Sequence, residues 1–228
     1  MNEKTASERL EQLFGFHNED GLSEEFLCVL EECTRDADEE VRAQAASLLV
    51  LVPPDRSEEM LLRGLADKSE LVRTEASDSA ECSRSPLVRK RLKELTRTDT
   101  AMVRGYAARS FAKASLSRGE NLDEAVSFLE ESLRLEEDEW VVLFLLWALC
   151  LLGRYDCYPR LLLGIDSGEY RNRCAALHAI EEVLRPQDKE TIAKIKERRR
   201  VEDTEAVRST IDVLLSHMEE DGAETAAV

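Results

Sequence analysis

The sequence predicts an all-α fold, an α-α superhelix of about six antiparallel helix pairs. Three observations support this prediction. A short motif recurs along the chain, its clearest copies 31 residues apart. A second amphipathic segment precedes each copy, in most cases with a helix-start signal. No segment alternates apolar and polar residues over the length of a strand with flanking turn residues. The 9 glycines and 5 prolines among 228 residues also indicate few turns and long helices.

The recurring motif is an acidic turn followed by Val-Arg, then by alanines and larger apolar residues. Its arginine recurs at two successive steps of 31 residues in the first three copies. The later copies are less regular, with steps of 38, 29 and 37 residues, and a valine replaces the arginine in the fourth. The six positions are Arg42, Arg73, Arg104, Val142, Arg171 and Arg208.

The motif marks the second helix of each pair, and a different signal marks the first. A serine or asparagine side chain accepts hydrogen bonds from the amides of a first helical turn, and proline is tolerated at the first helical position. These signals place the first helices after Ser23, Ser57, Ser85 and Asn121, followed by segments 158–165 and 188–200. An extra helix is predicted over residues 5–14.

The repeats predict one solenoid domain over residues 1–218. The longest linker, at residues 119–121, coincides with the change of step from 31 to 38 residues, so a subdivision is expected near residues 116–122. Residues 219–228 are acidic and then rich in Gly, Ala and Thr, which is typical of a frayed tail.

The motif resembles a known family of repeats. Asp38, followed by Val41-Arg42 and Ala45-Ala46, is similar to the bacterial HEAT-like repeats that also occur in phycobilin lyases. The resemblance covers most of residues 20–218. It implies that the second helices line a concave face and that turn aspartates and arginines of neighbouring repeats form a hydrogen-bonded ladder. The residues to which it gives this structural role are Asp38, Arg42, Arg73, Arg104, Arg171 and Arg208.

Charge and hydropathy exclude several classes of partner. The chain has 31 basic and 48 acidic residues and a net charge of −17, which repels phosphate backbones, so no nucleic-acid partner is expected. The basic cluster within 194–200 ends a predicted helix, where cations interact favourably with the helix dipole. The longest apolar run, 140–152, is shorter than the roughly 20 residues of a membrane span. With no signal-peptide pattern at its start, the sequence predicts a cytoplasmic protein.

No constellation for catalysis is evident, so we expect neither an enzyme nor a cofactor, a metal or a small-molecule substrate. The three histidines, His17, His178 and His217, are far apart, and the predicted register places His178 on the apolar side of its helix. Metal-dependent hydroxylases built on these repeats use His-Glu dipeptides, which the chain lacks. It also lacks a glycine-rich phosphate loop, a G-x-S-x-G elbow and a zinc-spaced Cys/His set.

The remaining candidate is the surface of the second helices. Residues two and five positions after each arginine position are expected to point into the concavity. Tyrosine, tryptophan and arginine are residue types that anchor protein interfaces. An alternative stays open for Phe144 and Trp147, which also fit a role as core residues between two pairs. The candidate partner-binding residues are Gln44, Glu75, Asp78, Tyr106, Arg109, Phe144, Trp147 and Arg173.

We therefore expect a non-enzymatic scaffold that binds a partner protein through its concave face. The acidic charge favours a basic partner through complementary potential. A narrower hypothesis is an immunity protein that neutralises a basic toxin. The alternative, implied by the resemblance, is a lyase or protein-modification factor of the phycobilin-lyase type.

Overall fold

The computed structural model describes residues 5–15, 23–118, 122–183 and 188–226. Within these ranges the chain forms thirteen α-helices and no strand. The predicted fold class, an all-α solenoid of helix pairs, is confirmed. Helix α1 stands before the pairs, and even-numbered helices are the first members of the pairs that follow. The helices are α1 (Ala6–Phe14), α2 (Glu24–Cys33), α3 (Glu39–Ser47), α4 (Pro54–Gly64), α5 (Glu70–Ser79), α6 (Pro86–Thr98), α7 (Ala101–Arg118), α8 (Leu122–Leu135), α9 (Glu139–Leu151), α10 (Tyr158–Leu162), α11 (Tyr170–Val183), α12 (Lys189–Val201) and α13 (Glu205–Ala226).

Two of the predicted helix starts are confirmed by their caps. The Ser23 hydroxyl accepts a hydrogen bond from the Phe26 amide at 3.1 Å, and that of Ser85 accepts from the Val88 amide at 3.2 Å. The prediction was wrong for α4, which begins at Pro54 and buries Ser57 within its first turns. Proline has the φ of a helix and needs no amide partner at the first position, so Pro54 starts the helix itself. The predicted cap Asn121 lies outside the described residues.

Contacts divide the chain into two compact units, 1–132 and 133–228. The first unit contains α1 to α7 and most of α8, and the second contains α9 to α13. A subdivision was predicted near residues 116–122. Residues 116–118 form the end of α7, and residues 119–121 lie outside the described part of the chain. The last helix continues to Ala226 and so includes most of the predicted tail.

Small residues of the second helices lie in the core of the first unit, beside larger side chains such as Leu61 and Leu92. Ala45, Ala76 and Ala107 are fully buried, which allows neighbouring helices to approach closely. The closest approach is at Gly64 of α4, where a Cβ atom would lie only 2.7 Å from the Cβ of Ala76. Helices α3, α5 and α7 pack more extensively on one another than α4 packs on α6. Their exposed side is therefore the inner side of the curve within this unit.

The core of the second unit is centred on α9. Most side chains of this helix are buried, including Phe144 (2% exposed) and Trp147 (7%). The Phe144 ring lies between those of Trp140 and Trp147, with centroids 4.7 Å and 5.3 Å away. The expectation that Phe144 and Trp147 offer a partner-binding surface was wrong, because both are core residues, as in the alternative assignment.

Candidate partner-binding surface

Two arginines of the second helices link consecutive pairs. The Arg42 guanidinium donates to both carboxylate oxygens of Asp67, at 2.8 Å and 2.9 Å. Its remaining Nη1 donates to two carbonyls of its own turn, Asp36 and Ala37. Arg73 repeats the arrangement one pair later, with the carboxylate of Asp99 at 2.8 Å. The planar guanidinium thus joins one turn to the next by fork-to-fork hydrogen bonds.

The linked aspartates are held in the ionised form. Burial alone would raise the pKa of Asp67, but hydrogen bonds from Arg42 and the Ser69 amide outweigh it and lower the pKa below its ordinary value. Asp99 has a lowered pKa for the same reasons, with Arg73 and the Thr100 amide as donors. These carboxylates take part in the links between successive turns.

The predicted ladder role of Asp38 was wrong. Asp38 caps α3 by accepting hydrogen bonds from the amides of Glu40 and Val41. The ladder position in this turn is Asp36, whose carboxylate accepts from Arg9 of α1. The ladder carboxylate, Asp36, thus lies two residues before the helix cap, Asp38. The Asp38 side chain already accepts hydrogen bonds from the first amides of its own helix.

Arg173, predicted to bind the partner, takes the ladder role that was predicted for Arg171. Arg173 is buried, and its guanidinium donates to both carboxylate oxygens of Glu202, at 2.9 Å and 2.8 Å. Arg171 is exposed and lies against the ring of Tyr170. Helix α11 begins later than the Tyr170-Arg171 motif indicated. The Arg173 amide donates a hydrogen bond to the Glu169 carbonyl, four residues before it in the sequence. Arg173 lies 31 residues after Val142, so the 31-residue period of the first three copies predicts Arg173 as the arginine of this repeat.

The other two predicted ladder arginines, Arg104 and Arg208, also form hydrogen bonds close to their own positions in the chain. Arg104 donates to the Asp99 carbonyl of its own turn at 3.0 Å. Arg208 pairs with Glu205 within α13, one turn away, and reaches no neighbouring helix pair among the described residues. Arg208 belongs to the last helix pair that the structure describes.

The inner face of the first unit, defined here as the exposed side of α1, α3, α5 and α7, contains two adjacent cavities. The smaller, of about 350 Å³, lies between α1, α3 and α5. The larger, of about 740 Å³, lies between α3, α5 and α7. Leu71 and Glu75, one turn apart on α5, line both. Three predicted partner-binding residues therefore lie together: Gln44 in the smaller cavity, Tyr106 in the larger and Glu75 in both.

The charge of these cavities is negative. Among the described residues, their linings include four glutamates and one lysine, Lys68. Burial raises the pKa of the Glu75 carboxyl, and the nearby Asp78 carboxylate raises it further. Burial also raises the pKa of the Tyr106 hydroxyl, and Asp78 and Glu75 add to this effect. The four glutamates are Glu39, Glu40, Glu70 and Glu75.

The other two candidates in this unit form an ion-pair network beside the cavities. Arg109 of α7 contacts Asp78 of α5 at 3.0 Å and Glu81 at 3.0 Å. Lys113, one turn further along α7, contacts the same Glu81 at 2.8 Å. These charges compensate one another, whereas the Glu75 carboxylate has no such partner in the described part of the chain.

Sequence reasoning missed two features of this face. Leu71 and the end of α1 were not among the predicted residues, yet Leu71 is 47% exposed and Phe14 65%. The position of Leu71, one turn before Glu75 on the same helix, was the available signal. The contribution of Phe14 depends on the packing of α1 against α3, for which the sequence contains no local signal.

Two further expectations concern the second unit. His178 was expected in the core, but its side chain is 57% exposed because α11 begins later than predicted. The basic cluster of α12 is largely paired with carboxylates, as in Arg198 with Glu202 and Arg199 with Asp212. Within the described ranges, no group of three His, Cys, Asp or Glu side chains is arranged to hold a metal ion. Likewise, no described helix combines the length and apolarity that crossing a bilayer requires.

The fold and the arginine links define a class, the all-α solenoids of repeated helix pairs. Residues 28–112 match the family model described as HEAT repeats. No curated protein matches the chain. A solved structure described as an engineered protein of a structural genomics consortium is similar at 16% identity and a TM-score of 0.39. The similarity covers 87% of this chain and 100% of that one.

Proposed function

We propose that this protein is a non-enzymatic interaction module that binds a partner protein through the inner face of its first unit. The observation that carries the proposal is the pair of adjacent cavities with a shared wall at Leu71 and Glu75. HEAT repeats generally mediate protein–protein interaction, which supports the same function. The proposal places the protein in the cytoplasm, as the sequence predicts.

The partner in this proposal has a basic surface. Glutamates surround exposed apolar side chains at the cavities, so a cationic partner gains attraction where it also buries apolar area. The net charge of −17 adds a long-range attraction for such a partner. Neutralisation of a basic toxin is a narrower form of this function, supported by the charge alone.

Affinity capture from a lysate of the native host tests the proposal. The inner-face variant is Leu71→Arg/Glu75→Arg. It places longer side chains between the two cavities and replaces the negative charge at position 75 with a positive one. The control is Leu87→Arg/Glu94→Arg, which makes the same changes on α6, where both residues are exposed. Bound proteins are identified and quantified by mass spectrometry.

We expect a small set of proteins with basic surfaces to bind the wild type and the α6 control and to be depleted about tenfold or more by the inner-face variant. If the inner-face variant retains the same partners as the wild type, the inner face of the first unit is not the binding surface.

A further inference from the structure

Glu75 lies at the centre of the inner face without a counterion. It is half-buried on α5, and no hydrogen bond or ion pair to it occurs among the described residues. Its neighbour Asp78, by contrast, is paired with Arg109. A carboxylate that is partly desolvated and unpaired is unfavourable in the free protein, and a cation from outside would relieve this cost.

Thr74 gives a second, independent sign of an absent ligand. This residue is 8% exposed and lines the larger cavity beside Glu75. Its Oγ1 is buried and has no hydrogen-bond partner in the described structure. Buried hydroxyl groups normally have partners, so the hydrogen-bonding capacity of this one is unused in the described structure.

Apolar side chains flank the carboxylate on both sides. Leu10 and Phe14 line the smaller cavity, and Met102 and Tyr106 line the larger. Leu71 separates the two and is 47% exposed. A ligand that crosses this wall therefore meets the apolar side chains of the smaller cavity, then the Glu75 carboxylate, then the apolar side chains of the larger cavity.

We infer that this groove binds a segment of the partner protein in which a lysine or arginine stands between two apolar side chains. The cation pairs with Glu75, the apolar side chains enter the two cavities, and a polar group of the segment bonds to the Thr74 hydroxyl. This inference rests on the proposed function and specifies the chemistry that the inner face recognises. The long-range charge steers many basic proteins to the surface, whereas the groove selects among them by sequence.

A displayed library of random 12-residue peptides, selected on the full-length protein, tests the inference. The strongest peptide is then synthesised, together with an analogue in which citrulline replaces arginine or acetyllysine replaces lysine. Affinities are measured by fluorescence anisotropy for the wild type and Glu75→Gln. Glu58→Gln is the control, because Glu58 is a partly buried glutamate of α4, in the other helix layer of the same unit.

We expect selected peptides to share a cation between apolar residues. Removing the positive charge of the peptide or the negative charge of Glu75 should each weaken binding about tenfold or more, and the two changes together little further. Glu58→Gln should leave the affinity unchanged. Leu71→Ala should also weaken binding, because it removes the wall between the cavities.

Folding of Glu75→Gln is verified by its thermal transition. Since the pKa of Glu75 is raised in the folded protein, ionised Glu75 destabilises the fold at neutral pH. The variant should therefore melt at a higher temperature than the wild type at pH 7, by about 1 °C or more, and the difference should vanish at acidic pH. A loss of peptide binding in this variant then reflects the site and not unfolding.

The inference and the proposed function can fail separately. Peptides without a cationic consensus, no peptides at all, or equal binding to Glu75→Gln would overturn the inference. If the lysate partners nevertheless depend on the inner face, the proposed function survives that result. If the inner-face variant retains those partners, the proposed function fails, and peptide binding at Glu75 would then describe a site that the partner does not use.

Discussion

Arg171 and Arg173 are two residues apart in one helix and have opposite environments. Arg173 is 6% exposed and uses all three guanidinium nitrogens for hydrogen bonds to Glu202, Thr204 and the turn carbonyls of Ser167 and Gly168. Arg171 is exposed beside Tyr170. Removing one partner of a buried ion pair leaves the other charge desolvated and unpaired, whereas an exposed arginine loses little.

We expect Arg173→Ala to lower the free energy of unfolding by about 3–5 kcal/mol, because Glu202 remains buried without its main donor. Arg171→Ala should change it by about 0.5 kcal/mol or less. Urea denaturation followed by circular dichroism measures both. Equal effects of the two substitutions would show that the fifth repeat is not built around Arg173.

Glu202 also makes stability depend on pH. Burial alone would raise its pKa, but hydrogen bonds from Arg173, the Thr204 amide and Arg198 outweigh it and hold the pKa far below the ordinary value of 4.5. A carboxyl whose pKa is lowered by folding contributes stability above its unfolded pKa and loses that contribution as the pH falls. The ionised Glu202 is therefore a stabilising group at neutral pH.

We expect the stability of the wild type to fall as the pH drops from about 5 towards 2, and Glu202→Gln to flatten this dependence while lowering stability at neutral pH. Thermal melts across this pH range measure the effect. Glu205→Gln is the matched control, since the Glu205 side chain is 84% exposed. An unchanged pH profile in Glu202→Gln would contradict the assignment.

At the scale of elements, the contact between α4 and α5 depends on the absence of a side chain. Alanine normally stabilises a helix relative to glycine by about 1 kcal/mol. At Gly64, however, the added methyl group would lie 2.7 Å from the Cβ of Ala76, so the two helices would have to separate. The packing cost then exceeds the gain in helix propensity.

We expect Gly64→Ala to destabilise the protein by about 1–3 kcal/mol, which is the usual cost of overpacking. In Gly168→Ala, by comparison, the added methyl group meets no atom within 4 Å, and stability should hardly change. Urea denaturation of the two variants compares them. A stabilised Gly64→Ala variant would mean that the helices move apart at little cost.

Helix α5 shows how one element serves two purposes. Arg73 extends to the turn of the next pair, where it holds Asp99. Leu71 and Glu75 lie one turn apart on the inner face. A period of 3.6 residues per turn separates these two sets by direction, so substitutions of one set need not disturb the other.

At the scale of the whole molecule, the net charge of −17 acts over a longer range than any single contact. Complementary charge raises the encounter rate of a partner more than it lengthens the life of the complex. Salt screens this attraction beyond about 10 Å at 0.1 M ionic strength. Measurements of the association and dissociation rates can therefore distinguish the effect of the net charge from that of the groove.

For a basic partner identified by capture, we expect the association rate constant to be at least about tenfold higher at roughly 0.02 M than at roughly 0.5 M ionic strength. The dissociation rate constant should change less, because it reflects short-range contacts. Surface plasmon resonance measures both. An association rate that does not respond to salt would contradict the proposed basic partner.

Much of the fold was predictable because it is encoded locally. The caps at Ser23 and Ser85 and the 3.6-residue spacing of apolar positions each depend on neighbours within one or two turns, and the 31-residue period repeats these local patterns along the chain. The same spacing correctly placed Gln44, Glu75 and Tyr106 on one face. Fold class and helix layers therefore followed from short-range patterns.

The register of the fifth repeat, the core position of Phe144 and the shared wall at Glu75 depend on long-range packing. The arginine–carboxylate links join residues 25 to 29 positions apart, and within the sequence only the 31-residue step from Val142 distinguishes Arg173 from Arg171. The sequence by itself determined the repeat and the faces of its helices, because periodicity acts within an element. Only the tertiary structure decided which side chains are buried and which carboxylate lacks a counterion, because both depend on the helices that pack against them.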